Sequence, residues 1–167
     1  MTQNKAWFSD RVRENETGMY ALAMSYMKQE ADALDCMQQS ILKAYEHLDS
    51  LRDPERFRSW MFGILINCCK DELRRRGRTL PTDDRMEEEP EPPAAVSFET
   101  RAVLWNAVQR LSEPSRTLLL LFYYEDLPTA EIAEAMGEKP ATVRKQLERA
   151  RIALRSELEK EGFSYDG

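Results

Sequence analysis

The sequence predicts an all-α protein made of two small helical domains, an N-terminal helical bundle and a C-terminal helix-turn-helix domain, joined by a flexible, acidic, proline-rich linker. Three observations predict this. Apolar residues recur at helical rather than alternating spacing on both sides of the middle segment. That middle segment, residues 79–98, is rich in Pro and Glu and almost free of bulky apolar side chains. Past it, a glycine turn at Gly137 leads into a basic stretch opened by Pro140. The expected domains are therefore 1–78 and 99–167, with residues 79–98 as a disordered connection.

In the first domain, Met19, Leu22, Ala23, Tyr26 and Met27 mark one helical face. Leu34, Met37, Ile41, Tyr45 and Leu48 mark a second, and Phe57, Trp60, Met61, Ile64, Leu65 and Cys68 a third. Pro54 breaks the connection between the second and third, because its ring removes an N–H and disfavours helix in the residue before it. The second helix also presents Asp35, Gln38, Gln39 and Lys43, a polar face richer in amides than solubility requires. The third ends in Lys70, Arg74, Arg75 and Arg76, with Arg78 just beyond. Cations at a helix C-terminus complement its dipole, which accounts for one or two of them. Five in nine positions point to phosphate contact as well.

The segment Thr79 to Ser97 holds Pro81, Pro90, Pro92, Pro93 and the run Glu87-Glu88-Glu89. Such a composition cannot bury enough surface to offset chain entropy, and the prolines prevent a continuous helix. Beyond it, Val103, Leu104, Ala107, Val108 and Leu111 give another helix. Ser112 is the expected N-cap before Pro114, and Leu118 to Tyr124 form the core of the next helix.

The helix-turn-helix follows from local chemistry. Ala133 is small enough to allow a close helix crossing, Gly137 supplies the positive φ of a tight turn, and Pro140 opens the second helix where its missing N–H costs nothing. Val143, Leu147, Ala150 and Leu154 then form one apolar stripe. Ala141, Thr142, Arg144, Lys145, Glu148 and Arg149 face away from it, on a surface that fits a DNA major groove.

Charge agrees with this partition. The chain carries a net charge of −6, yet residues 1–76 are balanced, residues 77–100 hold −5 and residues 101–167 only −1. Within the last segment, residues 139–155 hold six Lys or Arg against the single acid Glu148. The acid thus lies in the linker and the basicity on one helix. No apolar run spans a bilayer and the first residues lack a signal-peptide profile, so a cytoplasmic protein without membrane insertion is expected. Three cysteines, Cys36, Cys68 and Cys69, and the lone His47 make neither a disulfide framework nor a zinc site. With one histidine, no Gly-rich phosphate loop and no nucleophile beside a base, no enzyme, cofactor or metal centre is expected.

Three runs resemble the extracytoplasmic-function (ECF) class of bacterial sigma factors: Asp32 to Tyr45; Phe57 to Ile64 with Asn67, Asp71, Leu73, Arg74 and Arg75; and Thr142 to Arg151. They occur in the family's order, and no third sigma domain fits between them. The resemblance implies a transcription initiation factor that binds core RNA polymerase and directs it to promoter DNA, in response to stress or another signal, with an anti-sigma factor as a further partner. It implies that Asp35, Gln38, Gln39 and Lys43 dock on the clamp helices of the core enzyme. Residues 52–58 (Arg56 and Arg58 among them), Trp60 and Asn67 would read and open the minus-ten element, with Arg74, Arg75 and Arg76 on the adjacent phosphates. Thr142, Arg144, Lys145, Gln146 and Arg149 would read the minus-35 element.

Trp60 lies on the apolar stripe, so core packing and base stacking both remain open for it, whereas the Asn67 amide both donates and accepts at a base edge. The chain departs from the family where a small residue followed by Arg is usual and Lys145-Gln146 stands instead. Glu148 would repel phosphate unless it paired with Arg144 or Lys145 or accepted from a cytosine amine, and Glu138 and Lys139 occupy the turn where an apolar residue and a capping Ser are common. The acidic linker suggests either a segment threading the basic RNA-exit path of polymerase or a plainly solvated spacer. The competing class is an autonomous helix-turn-helix regulator, which would bind duplex operators tightly as a dimer.

Overall fold

The computed structural model describes residues 2–77 and 98–162, with side chains from 5–77 and 102–162. Arg78 and the expected linker up to Ser97 lie outside the described residues, and Phe98, its last expected position, already belongs to a helix. Seven α-helices appear among the described residues, which contain no strand. They group into two compact units, with α1 to α3 in the first and α4, α5, most of α6 and α7 in the second.

In the first unit, α1 spans Thr2–Met27, α2 Glu30–Glu46 and α3 Phe57–Arg76. Helix α1 starts well before the apolar face read at Met19. Its first half hides Phe8, and the buried Asn15 satisfies its amide by donating from Nδ2 to the Arg11 carbonyl at 2.7 Å. The helix ends where Lys28 adopts φ 68° while its N–H still donates to Met24 O at 3.0 Å. Glu30 and Asp32 fill the first turn of α2, where their charge complements the N-terminal dipole. At Pro54 the chain turns as expected. Asp53 adopts an extended backbone and its Oδ1 accepts from Glu55 N at 3.0 Å, capping the short 3-10 turn Pro54–Arg56 that leads into α3.

The core of this unit packs Met19, Leu22, Met24 and Met27 from α1 against Ala33, Cys36, Met37 and Ala44 from α2 and Phe57, Met61, Phe62, Leu65, Ile66 and Cys69 from α3. Two sequence expectations need correction. Leu34 and Tyr45, assigned to the inner face of α2, stand 44% and 45% exposed, and the small residues Ala33, Cys36, Ser40 and Ala44 take the inner face instead. On α3, Trp60, Ile64 and Cys68 are only half-buried while Phe62, Ile66 and Cys69 are fully inside. A helix held between two others buries a wide arc, and here that arc lies to one side of the stripe that periodicity picked out.

In the second unit, α4 spans Phe98–Gln109, α5 Glu113–Leu119, α6 Thr129–Met136 and α7 Pro140–Lys160. Ser112 has the extended backbone of an N-cap, but its hydroxyl makes no capping bond. Its carbonyl accepts from Arg116 N at 3.0 Å. The expected helix Leu118 to Tyr124 is divided: α5 ends at Leu119 and a π-helical turn, Leu120–Tyr124, continues it. After α6 the chain closes as a Schellman motif, with Glu138 N donating to Ala133 O at 2.9 Å, Gly137 N to Glu134 O at 3.3 Å, and Gly137 at φ 68°. Leu118, Leu121, Leu127, Ile132, Val143, Leu147, Ala150 and Leu158 form the core. Arg110 at the end of α4 ties down the end of α7 by bonds to Glu157 at 2.8 Å and Glu161 at 3.0 Å.

Candidate nucleic-acid and polymerase interfaces

Helix α7 separates its two faces sharply. Val143, Leu147 and Ala150 are buried, which turns Arg144, Lys145 and Arg149 to solvent and leaves Thr142 and Gln146 half-buried at the margins. Extended Lys139 followed by Pro140 at the first helical position sets where the helix begins, so the absence of a capping Ser is met by backbone preorganisation. Among the described residues no acid pairs with Arg144, Lys145 or Arg149, and Glu148 points outward without neutralising Arg144 or Lys145. Three unneutralised cations on one exposed helical face are matched to a phosphate-lined groove. Gln146 differs from the expectation of an open amide: its Oε1 is occluded and has no hydrogen-bond partner. Arg151 belongs to a neighbouring surface, where its Nε donates to Tyr123 Oη at 2.8 Å and its guanidinium covers the Phe122 ring at 5.2 Å.

Helix α3 carries the second set. Arg56 is exposed at its start, Arg58 is half-buried, and Asn67 is exposed. Trp60 is half-buried with its ring 5.8 Å from Phe57, which in turn meets Trp7 edge-on at 5.5 Å and Phe8 at 5.9 Å. One side of the Trp60 indole therefore belongs to an aromatic cluster and the other reaches the surface.

The three arginines at the end of α3 are not alike. Arg74 pairs with Asp71 at 2.7 Å in an open i,i+3 contact, and Arg75, also exposed, pairs with Glu72. Arg76 instead turns into the fold: its Nε donates to Glu72 at 2.7 Å and its Nη1 to Asp32 at 2.9 Å, joining the end of α3 to the first turn of α2. The Arg76 bond holds the Asp32 carboxyl below its ordinary range, and the Arg75 and Arg76 bonds do the same for Glu72.

Helix α2 exposes all four expected polar residues, Asp35, Gln38, Gln39 and Lys43, with Gln39 Nε2 donating to Asp35 at 3.0 Å. Sequence reasoning missed that this face is also apolar. Leu34, Leu42 and Tyr45 are 44%, 65% and 45% exposed, and with Gln38 they follow one row along the helix. Apolar residues set on more sides of α2 than one inner face can accommodate were the available signal. A run of exposed large apolar side chains edged by polar ones is the composition of a protein-docking surface.

Comparison with known proteins follows the same division. Residues 11–79 match the family model for sigma-70 region 2, and residues 101–154 the model for sigma-70 region 4. The chain is 34% identical to the RNA polymerase sigma factor SigV of Bacillus subtilis, over 96% of each chain. It is 28% identical to the ECF RNA polymerase sigma-E factor of Haemophilus influenzae, covering 77% of this chain and 75% of the relative. Among solved structures, the sigma factor RpoE of Bartonella quintana, crystallised with the anti-sigma factor NepR, has the same fold at a TM-score of 0.76. That likeness spans 91% of this chain and 96% of the other at 23% identity.

Proposed function

The chain belongs to the sigma-70 family of RNA polymerase sigma factors and directs the core enzyme to promoters; from that premise we propose how its side chains divide the work. The observation that carries the proposal is the α7 surface, on which Arg144, Lys145 and Arg149 stand unpaired above a buried stripe. This helix enters the major groove of the minus-35 element. Arg149 contacts phosphate, while Thr142, Lys145 and Gln146 meet base edges and Arg144 takes either role. Gln146 serves there once its side chain rotates outward, since its occluded oxygen meets no donor in the free protein.

Helix α3 and the turn before it act on the minus-ten element. Opening a duplex means unstacking a base at a cost of a few kcal/mol, which stacking and edge hydrogen bonds offset. The accessible side of Trp60 supplies a stacking surface, Asn67 an edge contact, and Arg56 and Arg58 charge. Arg74 and Arg75, both exposed, exchange their carboxylate partners for phosphate with little loss, whereas Arg76 secures α3 to α2 and contributes least to DNA.

The outer face of α2 docks on the polymerase clamp helices through Asp35, Gln38, Gln39 and Lys43, with Leu34, Leu42 and Tyr45 supplying apolar area. An anti-sigma factor holds the chain inactive until a stress or other signal releases it, by analogy with the relative crystallised with NepR. The protein works in the cytoplasm, and the polymerase supplies all the chemistry. Among the described residues, no helix is long and apolar enough to cross a membrane.

Fluorescence anisotropy with a promoter fragment tests this reading against an autonomous regulator. The isolated chain should bind weakly, and addition of core polymerase should tighten binding at least a hundredfold. Tight operator binding by the chain alone, in a dimer, would place it among the regulators.

A further inference from the structure

The tilt of the Trp60 indole is set by a chain of rings that reaches into α1. The Trp60 ring lies 5.8 Å from Phe57 at an interplanar angle of 51°. Phe57 is buried and meets two rings of α1 nearly at right angles, Trp7 at 5.5 Å and 84° and Phe8 at 5.9 Å and 81°. Two such contacts leave the Phe57 ring little freedom, and a ring so held is a fixed backing for Trp60 one turn further along α3. The two α1 rings differ in what else they do. Phe8 is buried and also packs on Tyr45 of α2 at 5.4 Å, so it belongs to the three-helix core. Trp7 is half-buried, and one turn on Arg11 sets its guanidinium 5.8 Å from the Trp7 ring while pairing with Glu14. Trp7 and Phe8 both precede residues 11–79, the span that matches the sigma-70 region 2 model, so this backing is drawn from outside the matched span.

We propose that Trp7 is a positioning residue for promoter opening, which acts through Phe57 to fix the orientation in which Trp60 receives an unstacked base. The inference rests on the minus-ten role given to Trp60 above and extends it to α1. Trp7 itself touches no DNA. Its ring holds the Phe57 ring, the Phe57 ring backs one side of the Trp60 indole, and the other side stays open to the base. Losing one aromatic contact of this kind shifts the population of a side-chain orientation by about two- to tenfold. The loss falls on opening rather than on first binding, because a base still stacked in the duplex has no contact with Trp60.

Holoenzyme assembled from core polymerase and the full chain is bound to a promoter. Closed-complex affinity is measured in the cold, and the opening rate is followed by permanganate reactivity of unpaired thymines in the minus-ten element. Trp7→Leu keeps apolar volume but removes the ring, so it should slow opening about three- to tenfold while changing closed-complex affinity by less than about twofold. Trp7→Phe restores a ring and should recover most of the rate. In a Trp60→Ala background, Trp7→Leu should have no further effect, because two residues that act through one another are not additive. Wild-type opening in Trp7→Leu, a loss of closed-complex affinity that matches the loss of rate, or defects of Trp7→Leu and Trp60→Ala that multiply in full would each overturn the proposal and leave Trp60 in its role. Normal opening in Trp60→Ala would overturn the minus-ten role of Trp60 and the proposal with it. If Trp7→Leu does not fold, Arg11→Gln strips the cation from the Trp7 ring and carries the same cycle, with about a two- to threefold slowing expected.

Discussion

Replacing Arg76 by Ala should destabilise the first unit while barely altering DNA binding, the reverse of what its place in a basic cluster suggests. Its guanidinium bonds Glu72 at 2.7 Å and Asp32 at 2.9 Å, and the side chains of Arg76, Asp32 and Glu72 are 28%, 31% and 15% exposed. Charge-assisted hydrogen bonds contribute about 1.5–3 kcal/mol when well shielded. Roughly half that remains at this exposure, and removing Arg76 leaves Asp32 without its arginine while Glu72 keeps Arg75, so about 1–2 kcal/mol is expected. For a unit of this size that is a Tm drop of about 5–10 °C. Arg74 offers the control. Its bond to Asp71 is an i,i+3 contact between side chains 73% and 64% exposed, so Arg74→Ala should cost no more than about 0.5 kcal/mol. Thermal unfolding followed by Trp fluorescence reads the difference, since Trp7 and Trp60 both sit in the first unit. Promoter binding by the holoenzyme across a salt series reads the other half: the log–log slope should fall by about 0.9 for Arg74→Ala and stay unchanged for Arg76→Ala. An unchanged Tm together with a reduced slope for Arg76→Ala would refute the assignment.

The same network sets an acid limit. Asp32 and Glu72 are held below the ordinary carboxylate range by Arg76 and Arg75, so their stabilisation is fully present above pH ~5 and is lost as pH falls through their lowered values; Asp32→Asn should flatten urea-melt stability against pH below that point. On α7, Arg149→Ala should weaken all promoters alike, whereas Lys145→Ala should change the preferred minus-35 sequence by about 1–3 kcal/mol per contact. Selection from a promoter library distinguishes the two, and equal losses everywhere for Lys145→Ala would remove it from base reading. On α2, Leu42→Asp should reduce core-polymerase affinity at least tenfold in a pull-down titration while leaving Tm within a degree or two, because Leu42 is 65% exposed.

What could be read directly from the residues was what local chemistry dictates. Gly137 and Pro140 prescribe a turn and a helix start almost by themselves, and the Schellman bonds and α7 follow. Pro54 likewise placed the break before α3. The misplaced faces have a different origin. In α2 the inner surface is made by the expected Met37 together with Ala33, Cys36, Ser40 and Ala44, four residues too small or polar to stand out, while bulky Leu34, Leu42 and Tyr45 face outward. Periodicity weighs size, and close helix packing selects against it. The early part of α1 was missed because Asn15, although buried, reads as a surface residue; its amide is satisfied within its own helix. The π turn at Leu120–Tyr124 breaks the 3.6-residue rule that was used to find it. Among the site residues, exposure on α7 and α2 was legible from amphipathic pattern. The inward commitment of Arg76 was not, because its partner Asp32 stands 44 positions away.

In vitro transcription with core polymerase, the purified chain and a promoter library, with transcript starts mapped by sequencing, tests the central claim most directly. The account predicts starts at a fixed distance from a shared pair of upstream elements, absent without the chain and redirected by changes at Lys145. Starts that are independent of the chain, or a chain that binds the core enzyme without altering where synthesis begins, would contradict it.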